Sequence, residues 1–422
     1  MIIEFSVENY RSLKERVTLS LAAEASKSKA DNVFEAAVRR RAETGTIRLL
    51  KSAVLYGANA SGKSNIIRAM GALKWWVTHS MELKVGSAIP CYEPFKLDKN
   101  SKDAPVVFEV VFLFNAIKHR YRCKFSHQQV LEESLYYFPK GRPAKLFERS
   151  QTATTASYTT VSLGDTLEDK DISKRVFDHQ LYLSQFGATI PHDYFVGIYQ
   201  YISGIEVWNT LDRNDVSILS RNIAENILDR ADESLRQQLG RLMKVADTGI
   251  HDVRIVRKEA QNLELSDTIP SFIRDYIIDR ERTQTLTAHP IYENGKEVGL
   301  EYFDLSQEES AGTQVLFALG GIILETLASG GVLFFDELDN SLHPDLCQFI
   351  IRLFREEATN PHHAQLVFTA HDVTLLDNTL IRKDQVWFTT KDKNGSTNLY
   401  PLSHIEQVRE DTNFEAWYRS GK

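Results

Sequence analysis

Cysteine is scarce: Cys91, Cys123 and Cys347 are the only three in 422 residues. They are odd in number, far apart and without metal-ligand spacing, which argues against a disulfide framework or a zinc site and reads as free thiols of the reducing cytoplasm. Long apolar runs are also lacking, and none approaches the length of a membrane span, so no membrane partner is expected. The opening residues, MIIEFSVENY, hold two acids and no long apolar stretch, so no secretory leader is expected. Positive charge is short as well. Lys and Arg number 50 against 57 Asp and Glu, a net charge of −7, which argues against a chain that coats nucleic acid over its whole surface. Local basic runs remain at Arg39 to Arg41, Lys118 to Lys124 and Lys140 to Lys145; such runs are most often solvated faces, and nucleic acid stays open as a partner. Sustained heptads and internal repeats are missing, so neither a long coiled coil nor a solenoid is expected.

What is present is an ordinary globular balance, 42% apolar and 25% charged, long enough for two or three domain-sized units or one domain with an insertion. Alternation predicts a strand over Ile2 to Val7, and Ser52 to Tyr56 forms a second that leads into GANASGKS. Ile66, Met70, Leu73 and Val77 then fall at helical spacing. Val106 to Phe125 predicts an antiparallel hairpin. Ser150 to Thr166, rich in Ser and Thr, predicts an exposed connection, and Ile172 to Leu242 several helices with mixed polar faces. Beyond Phe303 the pattern returns to a buried α/β core. Val315 to Leu327 is apolar nearly all round, Val332 to Phe335 and Leu366 to Phe368 read as covered parallel strands, and Pro344 opens an amphipathic helix.

Three clusters carry chemistry. Gly57-Ala-Asn59-Ala60-Ser61-Gly62-Lys63-Ser64, with Asn65 next, matches the Walker A phosphate loop in full, between a strand and a helix as that loop requires. Its glycines let backbone N–H groups turn inward around phosphate oxygens, Lys63 can reach the β- and γ-phosphates, and Ser64 can hold Mg²⁺. The strand Val332 to Phe335 ends in Asp336 and Glu337, placing Asp336 to bind Mg²⁺ and Glu337 to polarise an attacking water. An acid pair at a strand end is weak alone, and gains weight from the phosphate loop. Finally, Glu309-Ser310-Ala-Gly312-Thr-Gln314 opens the buried helix, where N–H groups and Ser310 could grip a phosphate.

Leu338-Asp339-Asn-Ser-Leu-His-Pro344 directly after the acids, and Thr369-Ala-His371-Asp at the next strand end, resemble the D-loop and switch histidine of the ABC/SMC-like superfamily. The resemblance makes the 310–312 segment a signature that acts on ATP held by a second chain, and so implies a homodimer or larger homo-oligomer closed as an ATP sandwich. It also implies Gln185, in LYLSQFG, as a further Mg²⁺ or water contact, and Arg11, in NYRS, as a phosphate contact. IEFSVENYRSL, YEPFKLD, ESAGTQ and VWFTTKDKNGSTNLYPL together look like the RloA-like AAA ATPases of bacteria, relatives of OLD and RecF-like proteins. That likeness implies a role in anti-phage defence with a separate effector, a nuclease or toxin; the alternative it leaves is a RecF-like DNA-binding ATPase of DNA repair. Roughly fifty residues follow His371, too few for the nuclease domain that OLD proteins carry. A nuclease site built on Asp229, Asp232 and Glu233 ranks last, since these acids read as the polar face of a helix. The expected fold is α/β, an ABC-type ATPase head whose mixed sheet has an antiparallel N-terminal β-subdomain. Residues 1–130 and 303–422 would form the core, and 131–302 a mainly helical insertion.

Overall fold

A computed structural model describes residues 1–40, 43–151, 158–167, 171–209, 213–246, 249–257, 283–340 and 342–420. Arg41 of the first basic run, residues 152–157 of the Ser/Thr-rich stretch and Ser341 lie outside these. The chain divides into two compact units, one of Met1–Thr210, Ser329–Asn340 and Cys347–Lys422, the other of Leu211–Ala328 and Ser341–Leu346. Strands and helices are numbered along the chain.

The first unit holds two large sheets. One is antiparallel, with eight strands in the order β11-β10-β9-β8-β7-β6-β1-β2. Its members are β1 (Ile2–Glu8), β2 (Val17–Ser20), β6 (Val106–Phe114), β7 (Ile117–Phe125), β8 (Val130–Tyr137), β9 (Ala144–Ser150), β10 (Tyr158–Leu163) and β11 (Arg175–Phe177). The hairpin read between Val106 and Phe125 is β6–β7. Its two-residue loop, Asn115-Ala116, has φ of 50° and 60°, the left-handed pair of the tight turn that matches strand twist. In β7 the alternation of IKHRYRCKF is literal: His119, Tyr121, Cys123 and Phe125 are buried, and the residues between them are half-exposed.

The other sheet has the order β12-β16-β17-β5-β18-β19. It comprises β5 (Ser52–Tyr56), β12 (Glu206–Trp208), β16 (Val332–Phe335), β17 (Gln365–Thr369), β18 (Val386–Lys391) and β19 (Thr397–Pro401). All its pairings are parallel except β18 with β19. Because β16, β17 and β5 are covered on both faces, every one of their residues is buried, which is why they read as continuous apolar runs. Helix α1 (Lys63–His79) follows β5 and buries Ile66, Ile67, Met70, Leu73, Trp76 and Val77, the stripe its spacing predicts. A helical turn, α2 (Tyr182–Ser184), runs into a π-helical turn over Gln185–Thr189 and then α3 (Asp193–Ser203). A two-stranded ribbon of β3 (Val33–Arg40) and β4 (Glu43–Leu50) completes the strands of this unit.

The second unit combines α4 (Arg213–Arg230), α5 (Glu233–Val245) and α6 (Ala311–Ser329) with a sheet of β13 (Asp252–Arg257), β14 (Thr283–Glu293) and β15 (Lys296–Asp304). By length and composition α6 could cross a membrane, a point the sequence reading had not anticipated. Two thirds of its apolar window is buried, as in a core helix of a folded domain (67%). Among the described residues no helix exceeds these 19 residues, so no long coiled coil is present there.

Two expectations need correcting. The 131–302 segment is not one helical insertion: β8 to β11 extend the antiparallel sheet, α2 and α3 stay with the first unit, and the second unit begins at Leu211 and takes in α6. The reason lies in β8, VLEESLYY, where the fully buried position beside Ser134 is an acid, Glu133, which breaks the apolar alternation that marks a strand. The stretch from Ser150 to Thr166 is not only a connection either, because Tyr158–Leu163 pairs with β9 and β11 and turns Thr159, Val161 and Leu163 inward.

Candidate functional site

Four parallel neighbours, β16, β17, β5 and β18, end on the same edge of their sheet, the edge where open α/β sheets receive ligands. The phosphate loop leaves β5 there. Gly62 has φ of 111°, and a Cβ on it would stand 2.2 Å from Thr397 Oγ1 and 2.8 Å from Ser12 Oγ, so only glycine fits. Gly57 is equally confined, with the Thr389 carbonyl 2.4 Å from where its Cβ would be. Threonines from β18 and β19 thus brace the loop: Ser61 Oγ lies 2.6 Å from Thr389 Oγ1, and Thr397 Oγ1 donates to the Ser61 carbonyl at 2.7 Å. Asn65 Nδ2 donates to Ser12 Oγ at 2.7 Å.

Within this frame Lys63 Nζ donates to the Gly57 carbonyl at 2.8 Å, curling its ammonium back over the loop. Burial lowers the Lys63 pKa from the usual lysine value, against the raising pull of Asp336, Glu337 and Asp339. A phosphate beside it would favour the charged form.

The acids are held by the neighbouring strand end. Thr369 Oγ1 donates to Asp336 Oδ1 at 2.6 Å and accepts from Glu337 N–H at 2.7 Å, so one hydroxyl fixes both. Asp336 is buried (2% exposed), and Glu337 has a left-handed φ of 56°, a conformation that clusters at functional sites. His371 Nε2 lies 3.6 Å from Glu337 Oε1. Asp339 Oδ2 accepts the backbone N–H groups of both His371 and Asp372, tying the D-loop to the histidine loop of the same chain. Its Oδ1 is buried with no hydrogen-bond partner.

These parts surround one cavity of about 760 Å³. Its lining contains the predicted Asn59, Ala60, Ser61, Gly62, Lys63, Ser64 and Asn65 on one side, and Glu337, Asp339 and His371 on the other. Arg68, Asn340 and Lys391 also line it, and the sequence reading missed all three. Lys391 ends β18, a strand parallel to the phosphate-loop strand, and that pairing leaves no local mark in the sequence. The donor set suits a magnesium nucleotide. Lys63 and loop amides answer phosphate; Ser64 on the lining and Asp336, which is buried beside Glu337 and not itself among the lining residues, carry oxygens of the kind a hard cation takes, and the orphaned Asp339 oxygen leaves an acceptor free.

The remaining predicted residues stand elsewhere. Arg11 is not among the residues lining this cavity. Its guanidinium is ion-paired with Glu93, and it lines a second cavity of about 450 Å³ with Ser12, Lys96 and Leu97, which shares Lys391 with the first. Glu93, the second residue of YEPFKLD, is the carboxylate that captures it. Gln185 begins the π-helical turn, again outside the cavity lining, with its Oε1 buried and without a hydrogen-bond partner. Ser310 and Gly312 belong to the second unit. There Ser310 Oγ accepts from Thr313 N–H at 3.1 Å as the cap of α6, and both residues are exposed. Glu309 beside them is held by Thr287 Oγ1 at 2.5 Å and lies 2.6 Å from His289 Nε2. Asp229, Asp232 and Glu233 serve local structure: Asp229 pairs with Arg257, Asp232 caps α5, and Glu233 pairs with Arg236 at 2.5 Å.

A phosphate loop, an acid pair on the adjacent strand and a histidine beyond it define a P-loop nucleotide-binding protein. The chain belongs to the family described as "AAA domain, putative AbiEii toxin, Type IV TA system", which it matches over residues 52–168 and 209–377. No curated protein matches it. Among solved structures it is similar to the SMC head domain from Thermotoga maritima, at 14% identity over 95% of this chain and 98% of that one, with a TM-score of 0.41. The Smc head domain of Pyrococcus furiosus bound to the C-terminal domain of ScpA aligns at 10% identity over 100% and 99% of the two chains, with a TM-score of 0.46. RecF with ATP aligns at 13% identity over 95% and 99%, with a TM-score of 0.36. These superpositions are loose.

Proposed function

We propose that the chain binds ATP with Mg²⁺ in the larger cavity, hydrolyses it, and uses the cycle to switch an assembly of two or more copies. The observation that carries this reading is the convergence of Lys63, Glu337 and His371 on one cavity at the ends of neighbouring parallel strands, with Asp336 held by Thr369 at the strand end beside Glu337. Loop amides from Gly57 to Asn65 take phosphate oxygens, and Lys63 exchanges its bond to the Gly57 carbonyl for one to phosphate. Asp336 and Ser64 hold Mg²⁺, with Gln185 and its unpartnered oxygen as a further contact. When bound, the ion neutralises charge on the phosphates. Glu337 takes the proton of a water whose oxygen bonds to the γ-phosphorus as the bond to the bridging oxygen breaks and ADP leaves. His371 orients Glu337. Arg11, on the adjoining cavity, reaches the nucleotide on release from Glu93. Ser310 and Gly312, exposed at a helix N-terminus, grip the nucleotide held by a partner copy.

The sequence resemblance to RloA-like ATPases is what supports a cytoplasmic role in anti-phage defence with a separate nuclease or toxin as the output; the family's description adds a link to toxin–antitoxin systems. The RecF-like reading has less behind it. In the Lys118 to Lys124 run, Arg122 pairs with Glu132 and Lys124 lies 2.9 Å from the same carboxylate, so two of its four cations already face an acid.

Steady-state turnover and nucleotide titration test the proposal. Lys63→Ala should weaken ATP binding at least about tenfold, and Glu337→Gln should retain binding while turnover falls about 10²- to 10⁴-fold. Wild-type protein that fails to bind millimolar ATP, or a Glu337→Gln variant that turns over normally, overturns it.

A further inference from the structure

Inside the antiparallel sheet lies a fully buried ion pair. Glu133 on β8 and Arg149 on β9 are cross-strand partners, their side chains are 0% exposed, and Arg149 Nε is 2.9 Å from Glu133 Oε2. Such pairs contribute little net stability, because removing two charges from water offsets their attraction, and apolar residues of similar volume usually serve as well. What sets this pair apart is where its other polar atoms go. Glu133 accepts the backbone N–H groups of Tyr182 at 2.8 Å and Leu183 at 3.1 Å, the first two residues of α2. Arg149 donates to the carbonyls of Phe177 at 3.2 Å and Gln180 at 2.5 Å. Tyr121 on β7 donates its hydroxyl to Glu133 Oε1 at 3.0 Å. Both charges therefore grip the backbone of a single segment, one by its carbonyls and one by its amides.

The far side of that segment is fastened to the phosphate-loop helix and the turn after it. Ser184 Oγ donates to the Val77 carbonyl of α1 at 2.7 Å, Leu181 N–H donates to Ser80 Oγ at 3.3 Å, and His179 Nε2 lies 3.1 Å from the Leu83 carbonyl. The residue that emerges from this double clamp is Gln185, whose side-chain oxygen is buried and has no hydrogen-bond partner. An acceptor kept in that condition needs a backbone that cannot relax to satisfy it.

We propose that Glu133, Arg149 and Tyr121 are positioning residues that set the turn bearing Gln185, and through Ser184 keep it in register with the phosphate-loop helix. This rests on the reading of Gln185 as a contact of the magnesium nucleotide. The cluster touches no reacting atom and acts only through the turn.

Two variants separate positioning from mere packing. Tyr121→Phe deletes one donor to Glu133 and keeps the ring; Glu133→Leu/Arg149→Met replaces the pair by apolar side chains, so that neither charge is left buried alone. In both, hydrogen exchange without nucleotide should show faster exchange at the amides of 182 and 183 while the rest of the sheet is unchanged. The Mg²⁺ concentration for half-maximal turnover should rise about tenfold, as outer-shell changes at metal sites do, with the KM for ATP within about twofold. A double variant that folds with wild-type exchange, turnover and Mg²⁺ dependence overturns the proposal. If it does not fold, Tyr121→Phe with wild-type exchange and Mg²⁺ dependence does so. Should the wild-type protein not hydrolyse ATP, the functional reading fails, and the exchange measurement still decides whether the cluster holds the turn.

Discussion

Thr369 connects two acids with one hydroxyl, accepting from Glu337 N–H and donating to Asp336 Oδ1 at the end of β17. Thr369→Val keeps the shape and removes both bonds, leaving the buried Asp336 carboxylate short of a donor. Bonds to a charged group are worth about 1.5–3 kcal/mol, so a loss of about 2 kcal/mol in urea unfolding is expected. Turnover should fall about tenfold with ATP affinity nearly unchanged, since the phosphate loop is braced by other threonines. Asp339 shows the same principle. Its resemblance to a D-loop implies a nucleotide contact, and the structure shows a task in its own chain, holding the amides of His371 and Asp372. At this scale the sequence was legible where the chemistry is contiguous. Gly57 to Ser64 carry their meaning within eight residues, whereas Thr369, Thr389, Thr397 and Lys391 reach the loop through strand pairings that no local pattern records.

Among the elements, the strands that were missed share a cause. β8 carries a buried acid, and β10 a buried threonine at Thr159 in a Ser- and Thr-rich stretch, so their inward faces do not look apolar. β7 kept its alternation although an inward residue is a histidine. His119 is buried, its ring stacks on Phe112 with centroids 5.4 Å apart, and its Nδ1 lies 2.9 Å from the Ile117 carbonyl. Burial lowers its pKa from 6.5 to about 4. Between those values the folded protein holds fewer protons than the unfolded chain, so its contribution is fully present above pH 6.5 and is lost as the pH falls through about 4. The loss is on the order of 3 kcal/mol at most, from 1.36 kcal/mol per pKa unit. Urea midpoints measured across that window should fall on acidification, and His119→Phe should flatten the fall.

The molecule as a whole has its phosphate-loop cavity in one unit and the 310–312 segment, proposed above to act on a partner's nucleotide, in the other. If two copies sandwich ATP, each site draws its phosphate loop from one chain and its Ser310 from the other. Lys63→Ala and Ser310→Arg should then each be inactive alone, while an equimolar mixture recovers activity. Random pairing makes half the dimers mixed, each with one intact site of two, so about a quarter of wild-type turnover is expected. A mixture as inactive as its components would show that each chain works by itself. Light scattering of Glu337→Gln with ATP reads the same assembly directly.

By itself the sequence determined the phosphate loop, the acid pair, the histidine after the next strand and the helices and strands that carry them, because each depends on side-chain periodicity or backbone conformation over a few neighbouring residues. Only the tertiary structure decided which strands stand side by side, that Arg11 faces Glu93 in an adjoining cavity, and that a buried Glu133 grips the turn before Gln185. Those outcomes rest on pairings such as Leu366 with Ser52, more than three hundred residues apart, whose partners are chosen by the burial of whole sheet faces.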